Sequence, residues 1–204
     1  MDEAVRAAQR ALEERPLSPY QRFEILRRAG DLLSQRKEEF ALTITREAGK
    51  PLKYARVEVD RAVQTLSLSG EEAKRIHGEQ VPVDAAPGAE GRIAFTIRVP
   101  VGVVCAIAPF NFPLNLVAHK VAPALAAGNA VVLKPATYTP LTSLMLCQLL
   151  EEAGLPPGYL NVVVGGGGGR WGRPCCAIPA SPCTPSRGAR RWGSVSRRPR
   201  ACGA

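Results

Sequence analysis

Two short segments carry residues able to do chemistry. In Pro109-Phe110-Asn111-Phe112-Pro113 a side-chain amide stands between two aromatics and two prolines. The prolines fix φ on both sides and stiffen the turn. An amide held that way can donate to an oxygen as negative charge develops on it. The plain alternative is an asparagine that hydrogen-bonds its own backbone, a common role in turns. In the second segment Lys134 closes an apolar run and is followed by Pro135, Ala136 and Thr137. A lysine at the carboxyl end of a strand in an open α/β sheet can reach a nucleotide ribose or phosphate. It can equally be a solvated lysine at the end of an element. Thr137 and Tyr138 precede a helical pattern and are candidates for its cap.

The elements that must position these residues follow from periodicity. Residues 3–14 read as a helix. A second starts at Ser18-Pro19-Tyr20-Gln21, a capping box with proline in the first turn, and repeats Phe23, Leu26, Ala29 and Leu33 at helical spacing. A third stops in "REAGKP" at Gly49 and Pro51, and Val59, Ala62, Val63 and Leu66 mark a fourth apolar stripe. Between residues 78 and 100 turn residues separate short segments, and "RIAFTIRV" alternates as a strand does, which predicts an extended ribbon.

From Val101 the rhythm is regular. "VGVVCAIAP" and "NAVVLKP" are apolar runs suited to strands buried on both faces. "LNLVAHKVAPALAAG" and "TPLTSLMLCQLLEEAG" read as helices ending at Gly128 and Gly154, and "YLNVVVGG" is a third strand. The fold class is α/β: a helical lead-in and β-ribbon, then an incomplete doubly wound parallel sheet of Rossmann-like type. The expected divisions are residues 1–77 (helical lead-in), 78–100 (ribbon), 101–165 (partial nucleotide-binding domain) and 166–204 (aberrant tail). Both chemical segments fall at the carboxyl ends of strands, where such sheets bind ligands.

The formal charge of +9 suggests nucleic acid until it is mapped. Residues 1–164 hold 19 of the 27 Lys+Arg and all 18 Asp+Glu, so the excess is confined to the tail, as eight arginines. No apolar run approaches the ~18 residues of a membrane span. The charged start lacks a signal sequence, so a cytoplasmic, reducing setting is expected and a disulfide framework is not. Cys105 and Cys147 lie among apolar residues of a strand and a helix and read as buried structural thiols. Tail cysteines 175, 176 and 183 lack the paired spacing of a zinc site, so no metal is expected.

The segment "PVGVVCAIAPFNFPLNLVAHKVAPALAAGNAVVLKPATYTPLTSLML" resembles the aldehyde dehydrogenase superfamily, as do "REAGKP", "GEQVP" and "GLPPGYLNVV" in their order along residues 1–165. The resemblance implies an enzyme that oxidises an aldehyde to a carboxylic acid with NAD or NADP, acting as a homo-oligomer without nucleic acid or membrane. It implies that Asn111 is the oxyanion-hole amide. Lys134, with Pro135, would hold the adenine-side ribose, and Pro109 and Phe110 would line the cofactor cleft. Many NAD-preferring members carry glutamate where Thr137 stands, so use of NADP stays open. In the family a cysteine thiolate attacks the aldehyde to give a thiohemiacetal, hydride leaves for the nicotinamide, and a glutamate activates the water that releases the acid. That cysteine, that glutamate and the family's G-S-x-x-x-G loop lie in segments absent from these 204 residues, so the chain is expected to be an inactive fragment.

The tail reads as a frameshift product. Cysteine and tryptophan codons begin with TG; read one base early, each ends in TG and encodes Leu, Met or Val. Trp171, Cys175, Cys176 and Cys183 then become apolar, and "RWGRPCCAIPASPCTPSRG" can be re-read as "EVGEALLRHPRVALYTFTG". The glycines at 165–169 imply a G-rich tract where a base is easily gained or lost, and no helix pattern follows to make them a phosphate cradle.

Overall fold

A computed structural model describes residues 1–166. The expectations for the tail beyond them, the frameshift included, lie outside the described residues. Four helices lead: α1 (Asp2–Glu14), α2 (Pro19–Gln35), α3 (Lys37–Ala48) and α4 (Leu52–Ala73). The ribbon pairs β1 (Gln80–Val81) with β2 (Ala94–Phe95), and the remainder alternates as β3 (Val103–Ile107), α5 (Asn115–Ala126), β4 (Ala130–Lys134), α6 (Leu141–Glu152) and β5 (Leu160–Val162).

Local chemistry explains the boundaries. Ser18 Oγ accepts from the Gln21 amide at 3.3 Å while Gln21 Oε1 accepts from the Ser18 amide at 2.8 Å, closing the expected capping box with Pro19 in the first turn. Gly49, φ +63°, ends α3 in the left-handed region that glycine enters without Cβ strain. The N-terminus of α6 follows Pro140 and has no side-chain cap of its own. Glu47 of α3 serves instead: its carboxylate accepts from the Leu141 and Thr142 amides, the latter at 3.1 Å, and from the Thr142 hydroxyl. A negative charge there also opposes the helix dipole favourably. Thr137 and Tyr138, expected as caps, lie ahead of the helix and do not cap it. Glu47→Ala is expected to lower stability by about 1 kcal/mol, the usual worth of an N-cap. Glu47→Gln, which keeps an acceptor, should cost less; equal losses in urea denaturation would deny the capping role.

Strands β3, β4 and β5 run parallel in that order, with Ile107 opposite Lys134 and Val131 opposite Leu160. Right-handed crossovers in one direction put α5 and α6 on the same face of the sheet. Helix α1 packs across all three strands and covers the other face. Coverage on both sides is why Val131, Val132 and Leu133 are all fully buried. The described strands thus wind one way, as on one side of the switch point of a doubly wound sheet. The lead-in helices and the sheet share one hydrophobic core. Tyr159 helps lock them, its hydroxyl donating to Arg15 O at 2.7 Å from a nearly buried ring.

The ribbon is less regular than its alternation suggested. Only Ala94–Phe95 is strand, paired with Gln80–Val81, and the Thr96 amide adds one bond to Glu79 O at 2.8 Å. A strand extends only as far as it has a partner. Ile93, Phe95, Ile97 and Val99 stay 70–84% exposed.

Candidate active site

The parallel register decides what meets what. Ile107 and Lys134 are partners at the carboxyl ends of β3 and β4, and the Ala108 amide donates to Lys134 O at 3.0 Å. The Pro109–Pro113 loop therefore leaves the sheet directly beside Lys134. The two segments, 20 residues apart in the chain, open at one edge.

In the loop Pro113 is buried, Pro109 is half-buried, and Asn111 and Phe110 are exposed. The backbone carbonyl of Asn111 accepts from Lys50 Nζ at 2.9 Å, whereas its side-chain amide makes no hydrogen bond with the described residues. The self-bonded turn asparagine is thus not what this loop contains. Its amide is left to donate outward, from a loop held by its backbone.

Lys134 is 7% exposed, and burial pushes its ammonium below the ordinary lysine range. A solvated lysine at a strand end is therefore not what stands here. Its Nζ donates to Pro135 O at 2.9 Å, which leaves two of the three ammonium hydrogens for another acceptor. No carboxylate among the described residues pairs with it. Thr137 is exposed, and its hydroxyl donates to Gly165 O at 3.1 Å, tying the loop after β4 to the segment that follows β5. A buried cation with unused donors beside Pro109 and Phe110 fits an acceptor-rich ligand with a flat apolar portion, as nicotinamide dinucleotides are.

Neither cysteine of the body suits nucleophilic attack. Cys105 is 2% exposed in the middle of β3. Burial, with Glu151 nearby, pushes the Cys147 thiol up to about 11, so it is protonated at neutral pH and unreactive. Among the described residues no group of three or more His, Cys, Asp or Glu could hold a metal ion, and no helix is long and apolar enough to cross a membrane.

Three residues the sequence reading passed over support the site. Lys50, in the turn after α3, holds the Asn111 carbonyl, while Glu58 of α4 and Glu47 of α3 hold the starts of α5 and α6 that follow the two loops. Glu58 offered the one signal, a carboxylate set in the inward stripe of Ala55, Val59 and Ala62, and it is 1% exposed.

The family model described as "Aldehyde dehydrogenase family" matches residues 1–176, most of the chain. The chain belongs to the aldehyde dehydrogenase family. Among aldehyde dehydrogenases it is 57% identical over 173 residues to a 3-sulfolactaldehyde dehydrogenase of Priestia megaterium, covering 84% of this chain and 36% of the relative. It is 42% identical over 155 residues to a lactaldehyde dehydrogenase of Methanococcus vannielii, covering 74% of this chain and 32% of that protein. The chain therefore spans about a third of the length of the curated relatives it matches. Among solved structures it resembles the NADP-dependent glyceraldehyde-3-phosphate dehydrogenase of Bacillus halodurans complexed with NADP. That match has TM-score 0.82 and 37% identity over 88% of this chain and 38% of the other. An NADP-dependent enzyme of E. coli matches with TM-score 0.77 and 40% identity, covering 82% and 35% of the two chains.

Proposed function

We propose that this chain supplies the cofactor shelf and the oxyanion-binding amide of an enzyme that oxidises an aldehyde to a carboxylic acid with NAD or NADP. The observation that carries the reading is the Asn111 amide, unclaimed by any described residue, beside a buried lysine at the carboxyl ends of adjacent strands. Lys134 would hold the ribose hydroxyls with its two unused hydrogens, with Pro135 fixing the chain behind it. Pro109 and Phe110 would form the wall of the cofactor cleft. The cofactor, when bound, supplies the hydride acceptor. Asn111 donates to the carbonyl oxygen as it becomes an oxyanion under attack by a thiolate. The stabilisation is larger in the transition state than in the ground state, which is the condition for a rate gain.

With Cys105 buried and Cys147 held as a thiol, that thiolate comes from outside residues 1–166. The 204-residue chain alone is proposed to turn over no aldehyde. The exposed alternating residues of the ribbon, Ile93, Phe95, Ile97 and Val99, are assigned to association between copies of the intact enzyme. Thr137 carries no charge to repel a 2′-phosphate, so both cofactors are accepted.

Calorimetric titration of the full chain with NAD and with NADP tests the shelf. Both should bind, and Lys134→Ala should weaken either by about tenfold or more, the loss of its charge-assisted hydrogen bonds. Binding unchanged by Lys134→Ala removes the shelf. NADP weaker than NAD by about a hundredfold removes the inference from Thr137.

A further inference from the structure

Glu58 sits on the buried face of α4 with a side chain that is 0% exposed. An ionised carboxylate there needs partners to offset its lost hydration. Its Oε1 accepts from the Leu114 amide at 3.0 Å and the Asn115 amide at 3.2 Å, which satisfies donors at the uncapped start of α5. Its Oε2 pairs with Lys50 Nζ.

Lys50 does more than neutralise this charge. It also donates to Asn111 O at 2.9 Å and stands 4.0 Å over the Phe112 ring, with 14% of its side chain exposed. The pair therefore grips the loop at four points: the carbonyl of Asn111, the ring of Phe112, and the amides of Leu114 and Asn115. Capping α5 requires Glu58 alone. The bond from Lys50 to Asn111 O serves the conformation of Asn111, whose side chain is left to donate outward.

We propose that Lys50 and Glu58 are positioning residues that hold the Asn111 amide at the angle and height oxyanion binding requires. The proposal rests on the assignment of Asn111 above. The lysine fixes the loop through its backbone, so the side-chain amide stays available, and the carboxylate orients the lysine. Displacements near 1 Å at a reacting centre can cost about a hundredfold in rate.

Two measurements test the pair. In the full 204-residue chain, amide exchange followed by mass spectrometry should quicken about tenfold over residues 110–115 in Lys50→Met, with residues 130–134 unchanged. Lys50→Arg, which can still bridge both oxygens, should restore protection. For turnover, residues 1–165 are joined to the remaining length of the Priestia megaterium enzyme, and oxidation of 3-sulfolactaldehyde is followed. There Lys50→Met should lower kcat about 10- to 100-fold while KM for the cofactor moves less than about threefold.

Lys50→Met leaves Glu58 uncompensated and can fail to fold for that reason alone. Lys50→Met/Glu58→Gln removes both charges and keeps the cap through the glutamine oxygen. It should fold and still turn over slowly, because Asn111 O has lost its donor. Full kcat in the double variant, or unchanged exchange over residues 110–115, overturns the proposal. Asn111→Ala in the same hybrid separates the two failures: a loss there with full activity in the Lys50 variants refutes the positioning role alone. No loss with Asn111→Ala refutes the oxyanion assignment, while the exchange data still report whether the pair grips the loop.

Discussion

Asn111→Ala should reduce kcat about 100- to 1,000-fold in a complete enzyme carrying this segment, the cost of removing one oxyanion donor. The magnitude follows from where the amide acts. In the proposed role it meets a neutral carbonyl in the ground state and an oxyanion in the transition state, so its loss should fall on kcat and leave substrate affinity little changed. The geometry supports a large effect. The loop backbone is held by the bond from Lys50 and Pro113 is buried, which fixes where the amide is presented. Asn111→Asp should be at least as harmful, because a carboxylate replaces a donor with a like charge. Steady-state kinetics of the hybrid described above measure both. A loss under about threefold in Asn111→Ala would mean the oxyanion is held by other groups.

Phe40→Ala carries the largest expected effect on stability. Phe40 is fully buried in α3, within the single core that joins the lead-in helices to the sheet. Truncating a buried phenylalanine to alanine typically costs about 3–5 kcal/mol, the lost transfer energy plus that of the cavity left behind. Whole domains are stable by only about 5–15 kcal/mol, so this single change consumes a large share of the margin. The consequence is not confined to packing. Helix α3 carries Glu47, which caps α6, and leads through Gly49 into Lys50, which grips the Asn111 loop. Loosening α3 should therefore release both site loops before the strands separate. Urea denaturation should show a lower midpoint. A loss below about 1 kcal/mol would mean the surrounding helices close over the space.

The local code was readable wherever a residue's own backbone preference or its neighbours within one helical turn decided the outcome. Ser18, Pro19 and Gln21 started α2, and Gly49, Gly128 and Gly154 all adopt positive φ where the patterns stopped. The apolar runs that became β3 and β4 needed no partner to be recognised, because burial on both faces leaves a continuous hydrophobic signature. The location of the site followed from topology, since parallel strands bring their carboxyl ends to one edge. The residue types of PFNFP and of the Lys134 segment narrowed its chemistry through the family they resemble.

Tertiary structure alone decided how that site is held. Lys50 and Asn111 are 61 residues apart, Glu58 and Leu114 are 56 apart, and Glu47 reaches Leu141 across 94. In one dimension Glu47 and Lys50 look like any of the solvated lysines and glutamates around them, and Glu58 differs only by its place in the apolar stripe of α4. "REAGKP" announced a helix end and a piece of the family pattern, though two of its side chains reach the Asn111 loop and the start of α6. The ribbon erred in the opposite sense: alternation predicted a long strand, but pairing, which alternation cannot supply, ended it at Phe95. Periodicity reports which face of an element is apolar; which distant group meets a buried charge is fixed only when helices pack and the desolvated carboxylate of Glu58 must find its cation and its amides.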